Sequence, residues 1–159
     1  MNYLPFIWAE NASLAAELKR PVRKVSICQH HLAWGPQTLT LWHPDGTGVK
    51  IFSQMNDIAD RLEIGVLGFE KVTAAPENEK VEVVSDTFNC EVEAFKLVLD
   101  EQDTRAECGL ALRASNGEEI LIIPGAGPCA LAILLAFAST PHIFEPEYKL
   151  ERCASAPLT

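Results

Sequence analysis

The apolar positions of this chain recur mostly with a period of two, the spacing that puts side chains on one face of a β-strand. Val22 to His30 alternates with Val25 and Ile27 on a common face, and Gln37 to His43 alternates with Leu39 and Leu41 together. Pro44-Asp-Gly-Thr47 then supplies turn-forming residues ahead of Val49–Ser53, so residues 37–54 read as a β-hairpin. Ile64 to Val72 reads as a further strand, with Gly65 and Gly68 marking a bulge or a close approach. Val81–Ser85 and Glu93–Leu99 alternate in the same way. The sharpest local signal is Glu107–Ala114 and Glu118–Ile123 around Ser115-Asn-Gly117, because Asn-Gly takes up the positive φ angles of a tight hairpin turn.

Only two stretches break this pattern. Asn11 to Arg20 predicts a short helix, capped by Asn11 or Ser13, closed by Lys19 and Arg20 and stopped by Pro21. Cys129 to Phe137 has helical composition, but its bulky residues alternate with alanines, which favours a buried strand. The sum is roughly seven to nine strands and one or two helices, which gives an α+β fold that is mostly β. The expected architecture is an antiparallel sheet of hairpins or a meander with one or two short helices. It forms one domain over residues 1–159, with residues 73–80 as a surface loop.

Composition narrows the setting. With 48% hydrophobic and 22% charged residues, the 159-residue chain can bury a core and is not of disordered type. No apolar run has the length of a membrane span, and the first residues lack the basic region of a signal peptide. The cysteines (Cys28, Cys90, Cys108, Cys129 and Cys153) are odd in number and widely spaced, which is no disulfide framework. A reduced, cytoplasmic location is therefore expected.

The formal charge is −9, divided between −1 in residues 1–80 and −8 in residues 81–159. Such a surface repels nucleic acid and anionic lipid and attracts basic proteins. Neither nucleic acid nor membrane is expected as a partner. The acids concentrate at Asp100, Glu101 and Asp103, at Glu107, and at Glu118 and Glu119. In a meander the loops at 100–103 and 116–119 lie at opposite ends of the sheet, with Glu107 along the strand between them, so the acids form a broad field. Trp34, in a Gly-Pro loop, and Trp42 add aromatic side chains of the kind that anchor protein interfaces.

Catalytic signatures are weak. Cys28, His30, His31 and His43 invite a metal reading, but strand spacing puts His43 on the order of 17 Å from His30. No local motif selects a nucleophile and base, and Glu91-x-Glu93 and Glu145-x-Glu147 follow the pattern of acids on a solvent face. No metal, no cofactor and no catalytic residue is expected.

One segment, Ile120-Leu-Ile-Ile-Pro-Gly-Ala-Gly-Pro-Cys-Ala130, holds Gly125-x-Gly127-x-x-Ala130 after an apolar strand. It resembles the dinucleotide-binding fingerprint of Rossmann-type oxidoreductases. The resemblance covers residues 120–145 and implies a pyrophosphate at a helix N-terminus, with Glu145 holding a ribose. Pro124 interrupts the strand-to-turn entry, and the preceding chain reads as hairpins instead of alternating strands and helices. A plain Gly/Pro loop is the competing reading.

Three readings follow. The first is a non-catalytic intracellular module, of inhibitor or immunity type, that binds a basic protein through the acids and tryptophans named above. The alternative is a small nucleotide-binding protein or enzyme using Gly125, Gly127, Ala130 and Glu145. A subunit of a larger β assembly is a third option, and the sequence leaves the oligomeric state open.

Overall fold

The computed structural model describes residues 1–28, 36–60, 62–73, 81–84, 88–127, 129–135 and 146–159. Its strands are β1 (Asn2–Leu4), β2 (Ile7–Trp8), β3 (Lys24–Cys28), β4 (Thr38–Trp42), β5 (Gly48–Ala59), β6 (Leu62–Val72) and β7 (Val81–Val84). After these come β8 (Glu93–Glu101), β9 (Thr104–Arg113), β10 (Glu119–Pro124), β11 (Leu131–Leu135) and β12 (Ala154–Pro157). Helix α1 (Leu14–Leu18) is the α-helix among the described residues, and Leu150–Arg152 form one 3-10 turn. The helical share is smaller than an α+β reading suggests. The helix forms where Ser13 caps it, its Oγ accepting the Ala16 N–H at 3.3 Å.

The strands form two sheets of six instead of one meander. The N-terminal sheet runs β2-β6-β5-β4-β3-β7, and the C-terminal sheet runs β11-β10-β9-β8-β12 with β1 also against β9. Eight of the ten pairings among the described residues are antiparallel, and six of those join consecutive strands. The two parallel pairings come from the first residues of the chain: β1 lies along β9 and β2 along β6. One short segment thereby belongs to both sheets.

Periodicity and turn chemistry place most of these elements. The β4–β5 hairpin turns at Asp45-Gly46, with Gly46 at φ +88° and the Thr47 N–H bonded to Asp45 Oδ1 at 3.0 Å. Residues 131–135 form a strand antiparallel to β10, as the alternation of bulky and small residues favours. The larger core joins the sheets face to face: Ile27, Leu39, Leu41, Ile51 and Leu67 meet Leu110, Leu112, Ile120, Ile122 and Ile133. Each such side chain contributes about 1.5–3 kcal/mol by leaving water. A second cluster covers the other face of the C-terminal sheet. There Leu97, Leu99, Cys108 and Leu121 pack under Ile64 and Val66, with Tyr148 and Leu150 at its margin.

The β8–β9 ladder contains one irregularity. Leu97 pairs with Gly109 and Val98 with Glu107, which leaves Cys108 as the extra residue of a bulge. No described helix is long and apolar enough to cross a membrane.

Candidate functional site

The C-terminal sheet carries most of the excess acid, and its two ends differ. At one end β8 begins and β9 turns into β10. Asn116-Gly117 make that turn: Gly117 sits at φ +90°, its N–H donates to Ala114 O at 3.0 Å, and Asn116 Oδ1 accepts the Glu118 N–H at 2.9 Å. This register sets Arg113 opposite Glu119 on β10, while the β8–β9 ladder sets it opposite Glu93. Arg113 is thus a single cation flanked across the sheet by two carboxylates. Its Nη2 lies 3.0 Å from Glu119 Oε2, and its guanidinium covers the Phe95 ring at 4.9 Å from the centroid.

Beside this row is an open groove of about 410 Å³, lined by Glu91, Val92, Glu93, Arg113, Ala114, Ser115 and Gly117. Glu91 and Glu93 are exposed, and Glu118 Oε2 is buried without a hydrogen-bond partner among the described residues. None of Glu91, Glu93 and Glu118 has an ion-pair partner among the described residues. The groove therefore combines a concave surface with carboxylates whose charge the neighbouring chain leaves largely uncompensated.

The opposite end of the same strands is neutralised. Gln102 and Asp103, at φ +47° and +58°, form the β8–β9 turn. Asp100 grips Arg105 with two bonds of 2.8 and 3.0 Å, and this guanidinium holds its carboxyl below the usual carboxylate range. Glu101 pairs with Arg152, and Asp103 lies 3.8 Å from the amino group of Met1. The acidic residues at Asp100, Glu101 and Asp103 therefore do not join Glu118 and Glu119 in one site.

Glu107 belongs to neither end. It is 6% exposed, lies 2.8 Å from Lys96 Nζ and accepts the Phe6 N–H at 3.1 Å. It is an internal clamp and offers no partner-binding surface. Trp42 is also buried, at 6% exposure, with Nε1 donating to Ser26 Oγ at 2.6 Å, so it packs in the core and offers no anchor for a partner. Trp34, His30 and His31 lie outside the described residues.

The glycine loop is resolved in favour of a hairpin. Gly125 N–H donates to Ala130 O at 2.7 Å and Ala130 N–H to Gly127 O at 3.1 Å, closing a tight turn between β10 and β11. A dinucleotide fingerprint needs a helix to begin where β11 runs back antiparallel, so the helix N-terminus that would receive a pyrophosphate is replaced by a strand. Glu145 lies outside the described residues. Among the described residues no three His, Cys, Asp or Glu side chains converge on a metal position.

Glu91, Glu93 and Arg113 are the groove residues that strand alternation leaves as ordinary solvent-face charges. The Asn116-Gly117 turn was the signal that could have found part of the site, because its centre fixes Arg113 opposite Glu119. No known protein family, no curated protein and no solved structure matches this chain.

Proposed function

We propose that this protein is a non-catalytic binding module for a protein partner with a basic surface, and that a lysine or arginine of the partner enters the groove beside Arg113. The observation that carries this reading is the unequal pairing of acids at the two ends of the C-terminal sheet. Asp100 and Glu101 already hold arginines, whereas Arg113 pairs with Glu119, and Glu91, Glu93 and Glu118 have no ion-pair partner among the described residues. A partner cation would make charge-assisted hydrogen bonds to Glu91 and Glu93 without first displacing a cation of this chain. The formal charge of −9 steers such a partner toward the surface and makes association salt-sensitive. This is the physical profile of an inhibitor or immunity-type protein of the cytoplasm acting on a basic target.

A tetra-arginine peptide titrated into isotope-labelled protein tests the reading. The expected shift changes centre on the amides of residues 91–93 and 113–119, weaken as salt is added, and vanish in the Glu91→Gln/Glu93→Gln double variant. Changes centred on Gln102 and Asp103, or spread evenly over the acidic surface, would overturn it.

A further inference from the structure

Cys108 and Cys153 lie 45 positions apart in sequence, yet their sulfurs are 3.9 Å apart. Cys108 is the bulged residue of β9, fully buried, with Sγ also 3.6 Å from Leu97 O. Cys153 is half-buried at the joint between the 3-10 turn and β12. The pair thus joins a fully buried residue to a half-buried one, with no element between them. Closing this contact to a disulfide needs the sulfurs to approach by about 2 Å, within reach of side-chain rotation.

We propose that Cys108 and Cys153 are an oxidant-reactive dithiol, converted to an intramolecular disulfide by a hydroperoxide, with Cys153 as the sulfur attacked first. The Cys153 thiolate attacks one peroxide oxygen: an S–O bond forms, the O–O bond breaks, and the departing oxygen takes a proton to leave as alcohol or water. Cys153 is now a sulfenic acid, oxidised by two electrons. The Cys108 sulfur then attacks it, the S–S bond forms, the S–O bond breaks, and the hydroxyl leaves with the Cys108 proton as water. The local electrostatics support this division of roles. The Cys108 S–H bond to Cys153 and the nearby Arg152 favour the Cys153 thiolate, against burial and Glu151, and bring its thiol below the ordinary value. Sharing that bond and being buried hold Cys108 protonated until the second step.

The chain offers a clean readout. Trypsin cuts after Arg105, Arg113 and Arg152, so Cys108 and Cys153 fall in separate peptides with one cysteine each. Treating the whole protein with stoichiometric hydrogen peroxide, blocking free thiols and digesting without reductant should yield residues 106–113 joined to 153–159 as the main cross-link, reversed by dithiothreitol. The oxidised protein should melt several degrees higher, because β12 is then tied covalently to β9. Cys108→Ser should accumulate Cys153 sulfenic acid, trapped by dimedone, and Cys153→Ser should leave Cys108 reduced. The proposal is overturned if wild-type Cys153 goes to sulfinic acid without the cross-link, or if Cys108 oxidises equally well in Cys153→Ser.

Discussion

Glu107 Oε1 accepts the backbone N–H of Phe6 at 3.1 Å, joining residues 101 positions apart. The other carboxylate oxygen lies 2.8 Å from Lys96 Nζ, and Phe6 stacks edge-on against Phe69 with centroids 4.9 Å apart. One buried carboxylate therefore fixes the segment that runs from β1 in one sheet to β2 in the other.

Removing that carboxylate should loosen both sheets at once. Glu107→Ala is expected to cost about 2–3 kcal/mol, the scale of hydrogen bonds to a charged group, in urea unfolding. Glu107→Gln keeps an acceptor for Phe6 and should cost less. Hydrogen exchange at the Phe6 amide should quicken more than exchange in β4 or β5. An alanine variant as stable as the parent would refute the clamp.

His43 should make stability fall in mild acid. Its Nδ1–H donates to Pro21 O at 2.9 Å, so the neutral ring turns an unprotonated Nε2, without a hydrogen-bond partner among the described residues, toward Glu17 Oε2 at 3.9 Å. Burial lowers its pKa, with Arg20 acting in the same direction. The Pro21 carbonyl, Glu17 and Asp45 oppose this, and the net shift is downward. The folded state therefore takes up the proton less readily than the unfolded chain. The stability contribution is complete above the unfolded value of about 6.5 and is lost as pH falls through the lower folded value. Glu17 also titrates low, held there by Arg20 and Lys71 against its own burial, so its loss comes at still lower pH. Urea midpoints compared between about pH 7 and pH 5 should drop less in His43→Gln than in the parent; equal drops would exclude His43 as the cause.

Two glycines should fail for different reasons. Gly117 has φ +90° and nothing within 4 Å of an added Cβ, so Gly117→Ala should cost about 1–2 kcal/mol through backbone strain alone. Gly65 has no such strain, but its Cβ would sit 2.8 Å from the Pro124 side chain, and its N–H donates to Tyr148 OH at 2.8 Å. Gly65→Ala should cost about 1–3 kcal/mol by overpacking. Asparagine, which tolerates positive φ, should be accepted at 117 and be worse than alanine at 65. Thermal unfolding of the four variants separates the cases.

Trp42 and Ser26 should behave as a coupled pair. Trp42→Phe leaves the buried Ser26 hydroxyl without the 2.6 Å bond from Nε1 and should cost about 1–3 kcal/mol. Adding Ser26→Ala should recover part of that loss, so the double variant costs less than the sum of the single ones. Strict additivity in urea unfolding would show that the bond carries no net stability.

The sequence by itself determined what depends on near neighbours. Alternation at Val25 and Ile27 and at Leu39 and Leu41, together with the turns at Asp45-Gly46 and Asn116-Gly117, placed strands and hairpins, because pleat and turn geometry act over a few residues. The tertiary structure decided the rest. Strict alternation from Leu110 and Leu112 puts Glu107 on the opposite face, but the bulge at Cys108 shifts the phase by one and turns Glu107 inward beside Lys96. The same bulge brings Cys108 against Cys153, and strand pairing sets Glu93 beside Arg113. Pairing of β1 with β9 and β2 with β6, like the bulge itself, is selected by how two sheet faces pack, and no local run of residues encodes that choice.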